Sequence, residues 1–331
     1  MNAACSRWPT FARAGARALA AAASMLAAAG AAHAAADIAL VPQQVSPHCW
    51  FFEGEPGMAT AENRGFMSNA GFVVTDAGVI VFDALGTPAL GAAMKAAIAK
   101  VTPQPIRRVI VSHYHADHFY GLQALAGPGV EIWAQRRATE YLASSQATER
   151  LAQRRTELAP WVDERTRVVP PTFLIDGDTD FRFGGLTFRL VHSAGAHTPE
   201  DILLYVVEDR ALFAGDLVFS GRVPFVGSAD SRGWLAAMDR IIALQPAVMV
   251  PGHGPASKDA AKDLALTRDY LAYLRATMGR AVREMEPFDE AYRRTDWSRY
   301  AALPAFAAAN RINAYGTYLT LEQEELNGGS K

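Results

Sequence analysis

Residues 109–121 read VIVSHYHADHFYG and crowd three histidines and an aspartate into the six positions from His113 to His118. The apolar, β-branched start, preceded by IRR, predicts a strand that runs into the motif. On a strand, side chains two apart share a face, so His113 and His115 are expected to grip one ion together. Asp117 and His118 follow where the strand gives way to a helix. They diverge from the first pair and can serve a second ion close by. Neutral imidazole with carboxylate is a donor set that suits zinc, and the chain offers almost no thiolate as an alternative.

A site for two ions needs more ligands than one motif supplies. The chain has eight histidines. Besides the three above and His33 near the start, these are His48, His192, His197 and His253. His197 lies in GAHTPED, a turn after the strand-like LTFRLVH, and His253 lies in PGHGP, a turn after AVMV. Asp216, in ALFAGDLVF, sits at the same kind of strand end, where functional loops collect in layered folds. His192 competes with His197 for a ligand role but belongs to the strand, and His48 reads as a strand-edge residue. Tyr114, Phe119, Tyr120, Arg222 and Phe225 flank the motifs, either as core or as pocket lining. Asn63 and Arg64 fall in a polar loop that would make a flap.

Working outward, CWFFEG and GFVVTDAGVIVFD carry β patterning, with Asp76-Ala77-Gly78 as a hairpin turn. TPALGAAMKAAIAKV is helical, with Pro88 in its first turn. HFYGLQALAG continues the central motif as a helix, VEIWA is a strand, and charged helices run on to Ala159. A second block of strands opens near Phe173 with TFLID and continues through FRF, LTFRLVH, ILLYVV and ALFAG. It closes on the helix SRGWLAAMDRIIAL and the strand AVMV. This order predicts an α/β molecule of two sheets stacked face to face, helices on both outer sides, each half of the chain supplying one sheet. From about Lys258 to the end the pattern is helical, broken by Pro287 and Pro304, and reads as an extension docked on the core.

The first residues carry Arg7, Arg13 and Arg17 before an alanine-rich run and an A-x-A pattern, the signature of a signal peptide cut near Ala34. Residues 35–331 would then form the mature chain, periplasmic or secreted, with 29 basic against 34 acidic residues and a net charge of −5. That mild acidity argues against a nucleic-acid partner. No later segment is long and apolar enough to span a bilayer. Of the two cysteines only Cys49 would remain, which excludes an internal disulfide, and its apolar surroundings mark it as a packed thiol.

The set SHYHADH, GAHTPED, FAGDLVF and PGHG, in this order, resembles the metal-binding motifs of the metallo-β-lactamase fold superfamily, from about Val45 to Pro255. The resemblance implies a four-layer αββα sandwich. It implies that His113, His115 and His197 bind a first zinc ion, that Asp117, His118 and His253 bind a second, and that Asp216 bridges the two. Asp83, ending GVIVFD, falls where relatives often hold a carboxylate near the site. An aspartate at the bridging position resembles the broad hydrolase branch rather than the true β-lactamases. The segments FFEGEPGMATAENRGFMSNAGFVVT and RVPFVGSADSRGWLAAMDR look like exported zinc metallohydrolases associated with sulfur-oxidation or quinoprotein systems. The implied activity is hydrolysis of a small ester, thioester, lactone or amide by a hydroxide shared between two zinc ions, with Asp117 orienting it. The alternatives are an iron-dependent sulfur dioxygenase, a β-lactamase, and a non-catalytic metal-binding module for a periplasmic redox partner. The implied partner is a small-molecule substrate, and nothing in the motifs specifies an oligomer.

Overall fold

A computed structural model describes residues 38–328. The leader read at residues 1–34 lies outside the described residues. The first sheet has seven strands in sequence order, β1 (Gln43–Gln44), β2 (Cys49–Phe52), β3 (Ala70–Thr75), β4 (Gly78–Phe82), β5 (Ile106–Ile110), β6 (Glu131–Gln135) and β7 (Phe173–Ile175). Its first four strands pair antiparallel and its last four parallel. The β3–β4 hairpin closes over Asp76 and Ala77, with Thr75 opposite Gly78. Parallel neighbours require crossovers. Helix α1 (Pro88–Val101) leads from β4 to β5, and its N-cap Thr87 accepts from Leu90 N through its side chain. Between β5 and β6 stand two short helices, α2 (Ala116–Phe119) and α3 (Leu122–Leu125). The single helix expected over HFYGLQALAG is broken at Gly121. A Cβ there would stand 1.8 Å from the Ala84 carbonyl oxygen, so the chain passes too close for any other residue.

Helices α4 (Ala138–Leu142) and α5 (Ser145–Glu157) carry the chain from β6 to β7. That crossover corrects one expectation: TFLID, read as the start of the second sheet, joins the first as β7, parallel to β6. Turn signals mark where a strand begins but not which sheet receives it, and a strand after a helical crossover returns beside its predecessor.

The second sheet has the order β12-β11-β10-β9-β8, from β8 (Thr179–Phe183), β9 (Leu186–His192), β10 (Ile202–Val206), β11 (Ala211–Phe213) and β12 (Val248–Val250). It is antiparallel except for the parallel pair β11–β12, which α6 (Ser231–Ala243) connects. Strand β10, ILLYV, is apolar throughout because both its faces are covered. Ile202, Leu204 and Val206 meet the first sheet with Phe51, Ile80, Phe82 and Ile110, while Leu203 and Tyr205 pack under Trp234, Leu271 and Leu274. The chain ends in α7 (Ala260–Arg283), α8 (Phe288–Arg294) and α9 (Phe306–Gly328), the expected helical extension, packed into that outer core. Among the described residues no helix is long and apolar enough to cross a membrane.

The topology also decides where the site lies. Strands β4 and β5 run together in the first sheet, and β9, β11 and β12 run one way in the second. Ile202 N donates to Ser112 O (3.0 Å), tying the two sheets at the end where β5 finishes. The loops that follow these five strands therefore gather at one rim.

Candidate metal centre

Every one of the seven expected residues reaches that rim. Ladder pairing of β5 stops at Ile110, so His113 and His115 stand in the extended segment beyond the strand and not on it. They nevertheless converge, with ring centroids 4.7 Å apart. The donor atoms fall into two groups, His113, His115, His197 and Asp216, and Asp117, His118 and His253, each within 4.8 Å of one another. Asp216 faces both. Its Oδ2 lies 3.8 Å from His113 Nε2 and 3.4 Å from His197 Nε2, and its Oδ1 lies 3.1 Å from His118 Nε2 and 3.2 Å from His253 Nε2. Asp117 Oδ2 closes the second group at 3.5 Å from His118 Nε2 and 3.4 Å from His253 Nε2. Donors around a tetrahedral zinc ion, with bonds near 2.0–2.1 Å, are separated by roughly 3.3 Å, and these distances bracket that value.

The imidazoles are set by what lies behind them. Asp83, at the end of β4, accepts through Oδ1 from Ser112 N (2.7 Å) and through Oδ2 from Ser112 Oγ (2.8 Å). Its Oδ2 also lies 2.8 Å from His118 Nδ1, and a carboxylate can only accept, so that nitrogen carries the hydrogen. With the Ser112 hydroxyl spent on Asp83, Ser112 Oγ is left to accept from His113 Nδ1 at 2.9 Å. His253 Nδ1 meets the Met67 carbonyl at 2.7 Å. In the His113 and His118 rings Nε2 is left as a lone pair pointing inward, and the shorter contact of His253 Nδ1, to the Met67 carbonyl rather than to Arg222 Nη1 at 3.2 Å, leaves its Nε2 the same way. His113 Nε2, His118 Nε2 and Asp216 Oδ1 are buried and without a hydrogen-bond partner. Buried acceptors facing acceptors call for a cation between them, so the donor set fits a metal pair.

The electrostatics agree. Burial drives the His113 and His115 imidazoles below their ordinary range and takes His197 to about 3, so all three are neutral ligands. Burial alone would raise the Asp216 carboxyl, but His253 and His118 opposite hold it well below. Burial likewise presses on His118, yet Asp216, Asp117 and Asp83 raise it well above the usual histidine value.

Several residues that motif reading passed over hold the ligand loops. Asn69 donates through Nδ2 to Pro251 O (2.8 Å) and Gly254 O (2.7 Å), clamping the turn that carries His253. Ser68 Oγ donates to Asp117 O (2.6 Å), and the Asp201 carboxylate caps the His197 turn through Thr198 N and Thr198 Oγ1, both at 2.6 Å. Only Asp201 left a trace, in HTPED. The flap expected at Asn63 and Arg64 is present as a strap over residues 53–69, but Met67, Ser68 and Asn69 touch the ligand loops. Asn63 bonds within its own turn, and Arg64 lies 5.6 Å over Trp161. Arg222 Nη1 donates to Gly57 O (2.7 Å), joining the strap to the loop after Asp216. His192 lies outside both groups, with Nε2 3.2 Å from Pro199 O, and His48 pairs with Asp209. Cys49 is a buried thiol pushed upward by its burial.

Comparison with known proteins follows the same lines. The sequence profile of the Metallo-beta-lactamase superfamily matches residues 63–253. A linear primary-alkylsulfatase of Pseudomonas sp. (strain ATCC 19151) is 24% identical over 210 residues, 53% of this chain and 40% of that protein. Among solved structures, a stereoselective inverting sec-alkylsulfatase from Pseudomonas sp. superposes with a TM-score of 0.63 at 17% identity, over 85% of this chain and 50% of that one. A metallo-beta-lactamase from Pontibacter korlensis superposes with a TM-score of 0.55 at 22% identity, over 70% of this chain and 99% of that one. The chain thus spans half or less of the length of the two alkylsulfatases. With a matching profile over more than half its residues and two His/Asp metal clusters joined by one aspartate, the chain belongs to the metallo-beta-lactamase superfamily and carries the binuclear-type site of its metallohydrolases.

Proposed function

We propose that this chain is a binuclear zinc hydrolase acting on a small ester, thioester, lactone or amide. One observation carries the reading: the inward-facing Nε2 of His113, Nε2 of His118 and Oδ1 of Asp216 are buried without a hydrogen-bond partner. His113, His115 and His197 would hold one ion, Asp117, His118 and His253 the other, and Asp216 would reach both. Bound zinc supplies Lewis acidity and a water acidic enough to act as nucleophile near neutral pH. The residues of the chain do the rest. Asp83, Ser112 and Met67 O fix the tautomers. Asp117 and His115 are the two ligands not fully buried, so the open side of the site is theirs. From there Asp117 orients the attacking water and takes up its proton.

The alkylsulfatase relatives support including sulfate esters in the substrate screen, beside chromogenic esters, thioesters and cephalosporins, each with and without chelator. Export by the leader, cut near Ala34, into the periplasm or medium belongs to the same proposal, as does an association with sulfur-oxidation or quinoprotein systems. Elemental analysis of protein from the native host reads zinc against iron. Asp117→Asn and His115→Ala should each lower kcat about 100-fold or more while the circular dichroism spectrum stays native. Full activity in either variant with metal content unchanged contradicts the assignment.

A further inference from the structure

The loop that follows the Asp216 turn, residues 219–227, is held from both sides. On its inner side it packs on metal-site histidines. The Phe219 ring lies parallel to the His253 imidazole, centroids 4.9 Å apart and 5° between planes, and the Phe225 ring stands edge-on to His115 at 6.5 Å. On its outer side the loop rests on the C-terminal helices. Asn313 of α9 is fully buried and accepts through Oδ1 from Val226 N (2.8 Å) and Gly227 N (3.2 Å). Through Nδ2 it donates to Pro224 O (2.7 Å) and to the Tyr270 hydroxyl of α7 (3.0 Å). Two acceptor and two donor bonds exhaust the amide. One turn later comes Gly316, where a Cβ would stand 1.8 Å from the Gly227 carbonyl oxygen. The start of the loop is anchored by Thr267 of α7, which accepts from Phe219 N (3.0 Å) and donates to Phe219 O (3.2 Å).

A helix that merely covered an apolar face would do so with apolar side chains. Here three of the four hydrogen bonds of a saturated amide, and a glycine, are spent on the backbone of one loop, and that loop touches two metal-site histidines. We propose that the C-terminal helices are a positioning element of the metal centre, in which Asn313 and Gly316 set the loop that seats Phe219 on His253 and Phe225 beside His115. Asn313 is thus a positioning residue that acts on the ligands through the loop backbone. The inference rests on the metallohydrolase reading of the site.

The test uses the full chain as wild type, Asn313→Ala, Gly316→Ala and, as a control, Leu321→Ala, which thins the buried face of α9 where it meets Gly279 rather than the loop. Gly316→Ala removes no hydrogen bond, so it carries the test if Asn313→Ala does not fold. Zinc affinity is read by competition with a chromogenic chelator, Tm on the metal-free chain, and KM and kcat on the best ester found. Asn313→Ala and Gly316→Ala should weaken zinc binding about tenfold and raise KM more than they change kcat. Leu321→Ala should lower Tm and leave both zinc affinity and KM within about twofold of wild type. The inference is overturned if the two loop-facing variants lose Tm yet keep wild-type zinc affinity and KM. A wild type that binds zinc but hydrolyses nothing defeats the proposed activity alone, and the zinc affinities of the variants still decide the role of α9.

Discussion

Asp83 belongs to neither ligand group, yet its two oxygens take three hydrogen bonds, from Ser112 N, Ser112 Oγ and His118 Nδ1. Burial pushes its carboxyl upward against the pull of His118 beside it. Such a group is costly to bury, and it orients the one histidine on which three carboxylates converge. Asp83→Asn puts an NH2 group where an acceptor is needed and should weaken metal binding about 10- to 100-fold, measured by chelator competition. Unchanged affinity would mean that Asp83 serves the fold and not the metal. At this scale much was legible. The His113–His118 run announces metal chemistry by density alone, and Asp83 was marked only through the family resemblance, as a carboxylate where relatives often hold one near the site. Ser112 and Met67 were not, because a hydroxyl or a carbonyl behind an imidazole leaves no pattern in a sequence.

Between elements, side chains reach across long separations to bind backbone, and these contacts escape periodicity. Asp209, in the β10–β11 turn, accepts from Ser46 Oγ (2.5 Å), His48 N (2.8 Å) and His48 Nδ1 (2.7 Å) at the entry to β2, joining the edge of one sheet to a turn of the other. Burial presses its carboxyl upward, but the Ser46 and His48 hydrogen bonds prevail and hold it below the ordinary aspartate value. A depressed carboxylate stabilises the fold above its unfolded pKa of about 3.9 and ceases to do so as pH falls through its folded value. Asp209→Asn should therefore lower Tm at pH 7, and the gap to wild type should close in acid below that range, both chains being compared metal-free. A gap independent of pH would show that the carboxylate charge is not what holds the turn. The same blindness explains β7. Its residues read correctly as a strand, but the crossover through α4 and α5, not the strand's own composition, placed it in the first sheet.

At the scale of the whole molecule, the strands β4, β5, β9, β11 and β12 deliver ligands or their supports from positions more than a hundred residues apart, so binding is coupled to keeping both sheets together. Metal removal should cost stability. At free zinc 100 times the dissociation constant the bound form gains about 2.7 kcal/mol, so chelation should lower Tm reversibly and zinc should restore it. A Tm indifferent to chelator would mean that the rim is held without metal. The layered architecture was legible because both sheets carry strong β patterning and the helices separate them cleanly. The work of the last helices was not, since Asn313 meets the loop 87 positions earlier through an amide that no motif advertises.

The most direct measurement is a metal titration of the chelator-stripped full chain, by calorimetry with elemental analysis, on wild type and His253→Ala. The account predicts two zinc ions per wild-type chain and one in the variant, the His113, His115 and His197 group remaining filled. A wild type that takes up fewer than two, or a variant that keeps both, would contradict the claim that five histidines and two aspartates converge to hold a metal pair.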